Sequence, residues 1–173
     1  GKASRHYGQT LDQFLGEVEQ IVHGTTLGTN ILITERGAKV GMITTKGFRD
    51  ILEMRRGIRN LHGSMFDMFI APYKPLVPRD LRIGVEERTR HDGTIDTPLD
   101  ERALRAGARK LLDDGCTAIA ICFLHAYANG ENELKAKRIV QELAPEAYVT
   151  TSHEILPVWR EFERFSTAVV SGY

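Results

Sequence analysis

Ile21-Val22-His23-Gly24-Thr25-Thr26-Leu27-Gly28-Thr29-Asn30 is the stretch on which the reading of this chain turns. It opens apolar, as the end of a short buried strand running Glu19 to His23 would, and then becomes small and hydroxylated. An amphipathic run, Asn30 to Arg36, follows it and predicts a helix that stops at Gly37. A strand that gives way to a helix through Gly and Thr leaves free N–H groups and the positive end of the helix dipole facing outward. Such a place suits a phosphate, a carboxylate or a developing oxyanion. The same residues also suit a plainer role, with Thr25 or Thr26 as a helix cap and His23 as a partly buried histidine.

Working outward, Lys39 to Thr45 predicts a second buried strand, so strand, helix and strand form a βαβ unit with parallel strands and a right-handed crossover. Thr44-Thr45-Lys46-Gly47-Phe48-Arg49-Asp50 then repeats the first pattern, with hydroxyls and Gly before a helix start near Phe48. Parallel strands bring both hydroxyl-rich tips to one rim of the sheet, where open α/β folds bind ligands. Gly1 to Asp12 is polar and small and reads as a loose lead-in, with a short helix near Phe14 and Leu15 after it. The domain boundary is drawn after residue 18, with 19–173 as a single α/β domain.

Beyond the second tip, Gly57 to Arg79 is irregular and broken by Pro72, Pro75 and Pro78. Its apolar residues, Met65, Phe66, Met68, Phe69 and Ile70, pack on the body or on a partner. Arg82 to Thr89 and Thr94 to Asp96 flank His91-Asp92-Gly93 as a hairpin. Asp100 caps a helix carrying Leu104, Ala108, Leu111 and Leu112 on one stripe. Thr117 to Leu124 is a continuous apolar strand, as in the middle of a sheet covered on both faces. A helix from Glu131 to Leu143, a strand from Tyr148 to Ser152 and a closing helix from about Pro157 complete the chain. The last helix carries Val158, Phe162, Phe165 and Val169 inward. The fold class is therefore α/β: a mixed, mostly parallel sheet with flanking helices and a β-hairpin excursion.

Composition narrows the function. The 173 residues are 42% hydrophobic and 27% charged, ordinary for one globular domain. Lys+Arg and Asp+Glu are both 23, so no charge excess draws the chain to nucleic acid or to an anionic membrane. No apolar run approaches the roughly 20 residues that span a bilayer. Cys116 and Cys122 lie about 20 Å apart on an extended strand, too far for a mutual disulfide, and free thiols fit a reducing, cytoplasmic setting. The histidines and cysteines lack metal-ligand spacing, GxSxG is absent, and Lys46-Gly47 does not complete a Walker A loop. His153-Glu154, at the end of a strand, forms a pair suited to proton transfer or to plain surface and backbone contacts, and His125 has the same standing. Glu161 and Arg164 read as an ion pair within the last helix.

His23 to Asn30 and Ile43 to Asp50 together resemble the N-terminal region of the hydantoinase A/5-oxoprolinase family. Pro75 to Arg79, Cys122 to Asn129, Ser152 to Pro157 and Glu161 to Thr167 continue the resemblance in the same order. The family includes N-methylhydantoinase A-like subunits, 5-oxoprolinase, caprolactamase and subunits of acetone and acetophenone carboxylases. The resemblance implies part of an actin/Hsp70-like ATPase fold, ATP with Mg in the full-length subunit, and activation of a cyclic amide carbonyl by phosphorylation. It also implies a hydantoinase B-type companion subunit or domain. Within that expectation Gly24, Thr25 and Thr26 hold an anionic group, and His23 orients or protonates. Asn30, Thr45, Lys46, Asp50, His153 and Glu154 contribute to substrate or phosphate binding, and no metal ligands are expected. Two departures stand out. The Asp-x-Gly-Gly-Thr hairpin that usually precedes His-Gly-Thr-Thr is missing from Gly1 to Gln20, and Gly28 replaces a more familiar Ala. The chain is therefore expected to be a piece of a longer subunit, inactive toward ATP by itself.

Overall fold

The computed structural model describes residues 1–20, 22–57, 69 and 73–173. These fall into two compact units, Gly1–Arg36 and Gly37–Tyr173. Residues 19–36, which the sequence pattern groups with the α/β domain, thus lie in the first unit.

Among its described residues the first unit holds three helices: α1 (Lys2–His6), α2 (Leu11–Gly16) and α3 (Leu27–Thr34). The lead-in is therefore more ordered than its composition implies. Thr10 and Gln13 close a reciprocal cap on α2: Thr10 Oγ1 accepts the Gln13 N–H at 3.3 Å, and Gln13 Oε1 accepts the Thr10 N–H at 3.2 Å. Tyr7 stacks on Phe14 with 6.0 Å between ring centroids. The strand expected over Glu19–His23 does not form in its described residues, which are irregular, and Val22 is 83% exposed. Only Ile21 and Val22 are apolar there, and so short a run cannot be buried on both faces as an inner parallel strand is. Among the described residues the first βαβ unit is accordingly absent. Glu35, at φ 52°, takes the left-handed position that ends α3, a role the sequence pattern assigns to Gly37.

The second unit is built on a four-stranded parallel sheet of order β2-β1-β5-β6. Its strands are β1 (Val40–Thr45), β2 (Arg82–Val85), β5 (Ala118–Cys122) and β6 (Tyr148–Thr151). Both central strands, β1 and β5, are buried along their whole length, which is why each reads as a run of small and apolar residues. A separate antiparallel hairpin pairs β3 (Arg88–Thr89) with β4 (Ile95–Thr97) around the expected His91-Asp92-Gly93 turn. The single strand expected over Arg82–Thr89 is split, because Glu87 turns inward and the chain leaves the sheet after Val85.

Helices cover both faces. Helix α5 (Glu101–Asp113), capped by Asp100 Oδ1 on the Ala103 N–H at 3.0 Å, packs with α6 (Glu131–Leu143). Helix α8 (Glu161–Gly172) crosses β5, β6 and β1. Neighbouring residues of β1 show that these are opposite faces: Gly41 lies under Leu111 of α5, whereas Val40 lies under Gly172 of α8. Two short helices, α4 (Ile51–Met54) and α7 (Ser152–Ile155), follow β1 and β6 directly and pack on α8. Helix α8 starts at Glu161 rather than at Pro157, because Arg160 at φ 78° cannot be helical. Val158 is consequently outside the helix, while Phe165 and Val169 are buried as expected. Cys116 and Cys122 are both free and buried. Met65, Phe66, Met68 and Ile70, expected as a packing or docking patch, lie outside the described residues. Among the described residues no helix is long and apolar enough to cross a membrane.

Candidate functional site

The chain leaves β1 toward β2 on one side and leaves β5 toward β6 on the other. Adjacent parallel strands whose exits diverge open a crevice at their carboxyl ends. A cleft of about 880 Å³ lies there. Phe48, Asp50 and Met54 line it from the β1 side, Leu124 from the end of β5, and Arg160 and Glu161 from the start of α8.

Local sequence explains how these residues arrive. Gly47 takes φ 89°, a conformation other residues rarely adopt, and the chain can reverse immediately after the strand. Phe48 N–H then reaches back to Thr45 O at 3.0 Å. Below the turn, the fully buried Arg82 donates through Nε and Nη2 to Val77 O at 2.9 and 2.6 Å, and through Nη1 to Arg49 O at 3.0 Å. Its guanidinium also pairs with Glu53 of α4, which fixes the β1–α4 turn against β2. Asp50 accepts two hydrogen bonds from Arg79, at 2.7 and 3.0 Å, and these hold its carboxyl below the usual range. Lys46 is largely exposed and pairs with Glu86 at 2.7 Å, which raises its pKa.

The other sequence-derived residues sit as follows. Thr45 is buried; its hydroxyl donates to Glu87 and accepts the Leu124 N–H at 3.0 Å, so it joins β1 to β5 rather than facing solvent. His153 Nδ1 lies 2.7 Å from Ala126 O, and Glu154 pairs with Lys137 at 2.7 Å and accepts from Thr151 at 2.8 Å. In the first unit His23, Gly24, Thr25, Thr26 and Asn30 are all exposed. Thr25 Oγ1 accepts the Leu27 N–H at 3.3 Å, Thr26 makes no side-chain cap, and nothing lies within 4 Å of where a Gly24 Cβ would be. This stretch is open enough for an anion to reach its N–H groups. The structure thus groups Lys46 and Asp50 after β1, groups His153 and Glu154 after β6, and keeps residues 23–30 in the first unit. Among the described residues no group of three or more His, Cys, Asp or Glu is placed to hold a metal.

Several buried residues have roles that the sequence pattern does not show. Glu133, wholly buried, accepts from Phe123 N–H at 2.6 Å, Ser152 Oγ at 2.7 Å and His153 N–H at 2.7 Å. Burial raises its pKa to about 7 against these hydrogen bonds. Arg164, equally buried, donates to Ser152 Oγ at 3.0 Å, Val158 O at 2.9 Å and Phe123 O at 2.9 Å. Its contact with Glu161, the expected pair, is longer at 3.7 Å. Glu87 is held by Thr45 and by Asn132 Nδ2 at 3.0 Å, and burial raises its pKa too. One signal could have found two of them: Glu133 falls on the helical stripe of Ala136 and Val140, and Arg164 on that of Ala168.

Comparison with known proteins places this architecture. The family model described as "Hydantoinase/oxoprolinase N-terminal region" matches residues 2–144. The chain belongs to the hydantoinase/oxoprolinase N-terminal family. Caprolactamase subunit alpha of Pseudomonas jessenii is 35% identical over 166 residues, covering 96% of this chain and 24% of that protein. Among solved structures, nucleotide-free acetone carboxylase superposes with a TM-score of 0.84 at 32% identity, over 98% of this chain and 25% of that one. ATP-dependent caprolactamase from Pseudomonas jessenii gives 0.81 at 34%, over 99% and 25%. As a hydantoinase/oxoprolinase N-terminal region, the chain spans about a quarter of the length of the caprolactamase and carboxylase subunits it matches and 13–14% of that of the 5-oxoprolinases.

Proposed function

We propose that this chain is the N-terminal region of an ATP-dependent subunit that activates a cyclic amide carbonyl, of a hydantoin or lactam, by phosphorylation for hydrolysis. The observation that carries this reading is the 35% identity to caprolactamase subunit alpha across 96% of the chain. The cleft at the carboxyl edge of the sheet supports it, since it supplies a wall on which a small substrate can lie. In this reading Gly24, Thr25 and Thr26 offer N–H and hydroxyl groups to an anionic group. His23 and Asn30 flank them. Lys46 and Asp50 lie at the carboxyl end of β1, and Thr45, His153 and Glu154 hold the carboxyl ends of β1 and β6 in shape. ATP, with Mg, supplies the phosphoryl group that turns a poor leaving oxygen into a good one. A hydantoinase B-type companion subunit or domain completes the reaction; the related caprolactamase chain is itself named as a subunit.

The test uses the full-length subunit with its companion. ATP consumption that depends on an added lactam or hydantoin is expected, and its absence overturns the reading. Thr25→Ala with Thr26→Ala is expected to lower that turnover about tenfold or more, the effect of roughly 1.4 kcal/mol of lost transition-state stabilisation, without lowering the melting temperature. Unchanged turnover removes both threonines from the mechanism. A second reading, a subunit of an ATP-dependent acetone- or acetophenone-type carboxylase, is favoured by the superposition on acetone carboxylase. Consumption of a ketone that requires both ATP and bicarbonate would select it.

A further inference from the structure

Next to the cleft-lining Leu124, His125 carries two costs that packing does not explain. Its backbone sits at φ 52°, in the left-handed region that a residue with a β-carbon enters at a penalty. Its Nδ1 is buried and has no hydrogen-bond partner among the described residues. A buried nitrogen left without a partner is destabilising, and each such atom in a native fold calls for an explanation. The ring lies 4.0 Å from the carboxylate of Glu161, which lines the cleft. His125 also follows Leu124, the residue that lines the cleft at the end of β5. The neighbourhood is strained as a whole. Of the four non-glycine residues at positive φ among those described, Arg55 and Arg160 line the same cleft, and His125 touches Glu161 of its lining.

We propose that Glu161 and His125 form a proton-transfer pair for a ligand in this cleft, Glu161 as the base that meets the ligand and His125 as the positioning residue that takes the proton on. The inference rests on the functional reading above for the identity of the cleft's ligand, though not for the pairing itself. The step balances simply. The Glu161 carboxylate removes a proton from an O–H or N–H of the bound molecule or of an attacking water, leaving the electron pair on that oxygen or nitrogen. The proton passes to His125 Nδ1, giving an imidazolium, and leaves to solvent by way of the cleft. The 4.0 Å separation closes with a small movement, as such contacts commonly do when a ligand binds.

The surroundings keep the imidazole ready to accept. Burial lowers the His125 pKa; Glu161 opposes this, and Arg88, Arg164 and His91 reinforce it. Tyr127 packs edge-on against the ring at 5.9 Å. Arg88 comes from β3, His91 from the hairpin turn, and Arg164 and Glu161 from α8, so three elements bring charge to bear on the ring.

Two measurements decide the matter. In this chain, NMR titration of the His125 ring is expected to give a pKa below the ordinary histidine value, and Glu161→Gln is expected to lower it further by removing the opposing charge. A His125 titration unmoved by Glu161→Gln overturns the pair, whatever the ligand is. In the full-length enzyme with its companion, His125→Asn tolerates the left-handed backbone and is expected to lower turnover about a hundredfold and to move the acidic limb of its pH profile, leaving the ionisation of Glu161 alone to set it. An unmoved limb in an active, folded variant overturns the role of His125. A wild-type enzyme without amide-dependent ATP turnover instead overturns the functional reading, and the titration still judges the pair.

Discussion

The carboxyl ends of β1 and β6 look alike in sequence, Thr44-Thr45-Lys46 against Thr150-Thr151-Ser152-His153, yet they end in opposite conditions. Beyond Thr150 the polar groups that follow β6 are engaged: Ser152 and His153 N–H by Glu133, Thr151 by Glu154, and the His153 ring by Ala126. After β1 the Thr45 hydroxyl is also taken, but the chain then turns at Gly47 and lays Phe48 and Asp50 along an open cleft. The difference comes from partners that the strands themselves do not supply. Glu133 arrives from α6 and Arg164 from α8, and together they close the β6 end. Arg82 braces the turn after β1 from below, and the side of that turn facing the cleft stays open. Hydroxyls at a strand end therefore mark a place where a polar group is wanted, and a neighbouring helix decides whether the protein or a ligand provides it.

Removing the seal should have the largest effect. Arg164→Ala leaves Ser152 Oγ and the Val158 and Phe123 carbonyls without their donor inside the core. Truncating one member of a buried charged network costs about 3–5 kcal/mol. A urea unfolding midpoint close to that of wild type would show that the β6 end does not depend on this side chain.

The pH dependence of stability is the next largest effect, and its sign is opposite to the usual one for a carboxylate. Glu133 has its pKa raised from 4.5 to about 7 in the folded state, so over that interval the folded chain binds the extra proton. Stability then falls as pH rises from about 4.5 to about 7 and levels off above it. A pKa that differs by one between the folded and unfolded states contributes about 1.36 kcal/mol, which makes the total on the order of 3 kcal/mol. Glu87, also raised by burial, acts in the same direction. Glu133→Gln should flatten most of this slope in denaturant titrations at fixed pH values. A wild-type profile already flat over the interval would mean that the three hydrogen bonds outweigh burial and keep Glu133 ionised.

The same contrast explains what is legible in the sequence alone. The parallel sheet, α5 with its Asp100 cap, α6 and the hairpin follow from apolar runs and turn residues that act locally. The missing strand at 19–23 fails because pairing, not the propensity of two apolar residues, makes a strand. The placing of Lys46 and Asp50 just after β1 is legible because Gly47 announces a turn after a buried strand. Glu133 and Arg164 show only as charges on the buried stripes of their helices, and Glu87 not at all; what they bind is hidden because most of their partners lie 10 to 45 residues away. His125 is visible only as a residue after the central strand; its left-handed backbone and orphaned nitrogen belong to three dimensions.

The smallest effect on stability belongs to the open tip, and it bears most directly on what that tip is for. Lys46 projects into solvent, and its ion pair with Glu86 is itself half exposed. Pairs of this kind are screened by salt and contribute little to folding. Lys46→Ala should therefore leave the melting temperature unchanged within error, as should adding salt to the wild type. A cation able to swing from Glu86 toward an anionic group nearby has a different consequence for binding. In the full-length subunit the same variant should raise KM for ATP or amide severalfold while leaving kcat nearly intact, the pattern of a charge that attracts substrate and transition state alike. A loss of stability with unchanged KM would reverse the contrast, making the β1 tip a second sealed end in which Lys46–Glu86 does structural duty.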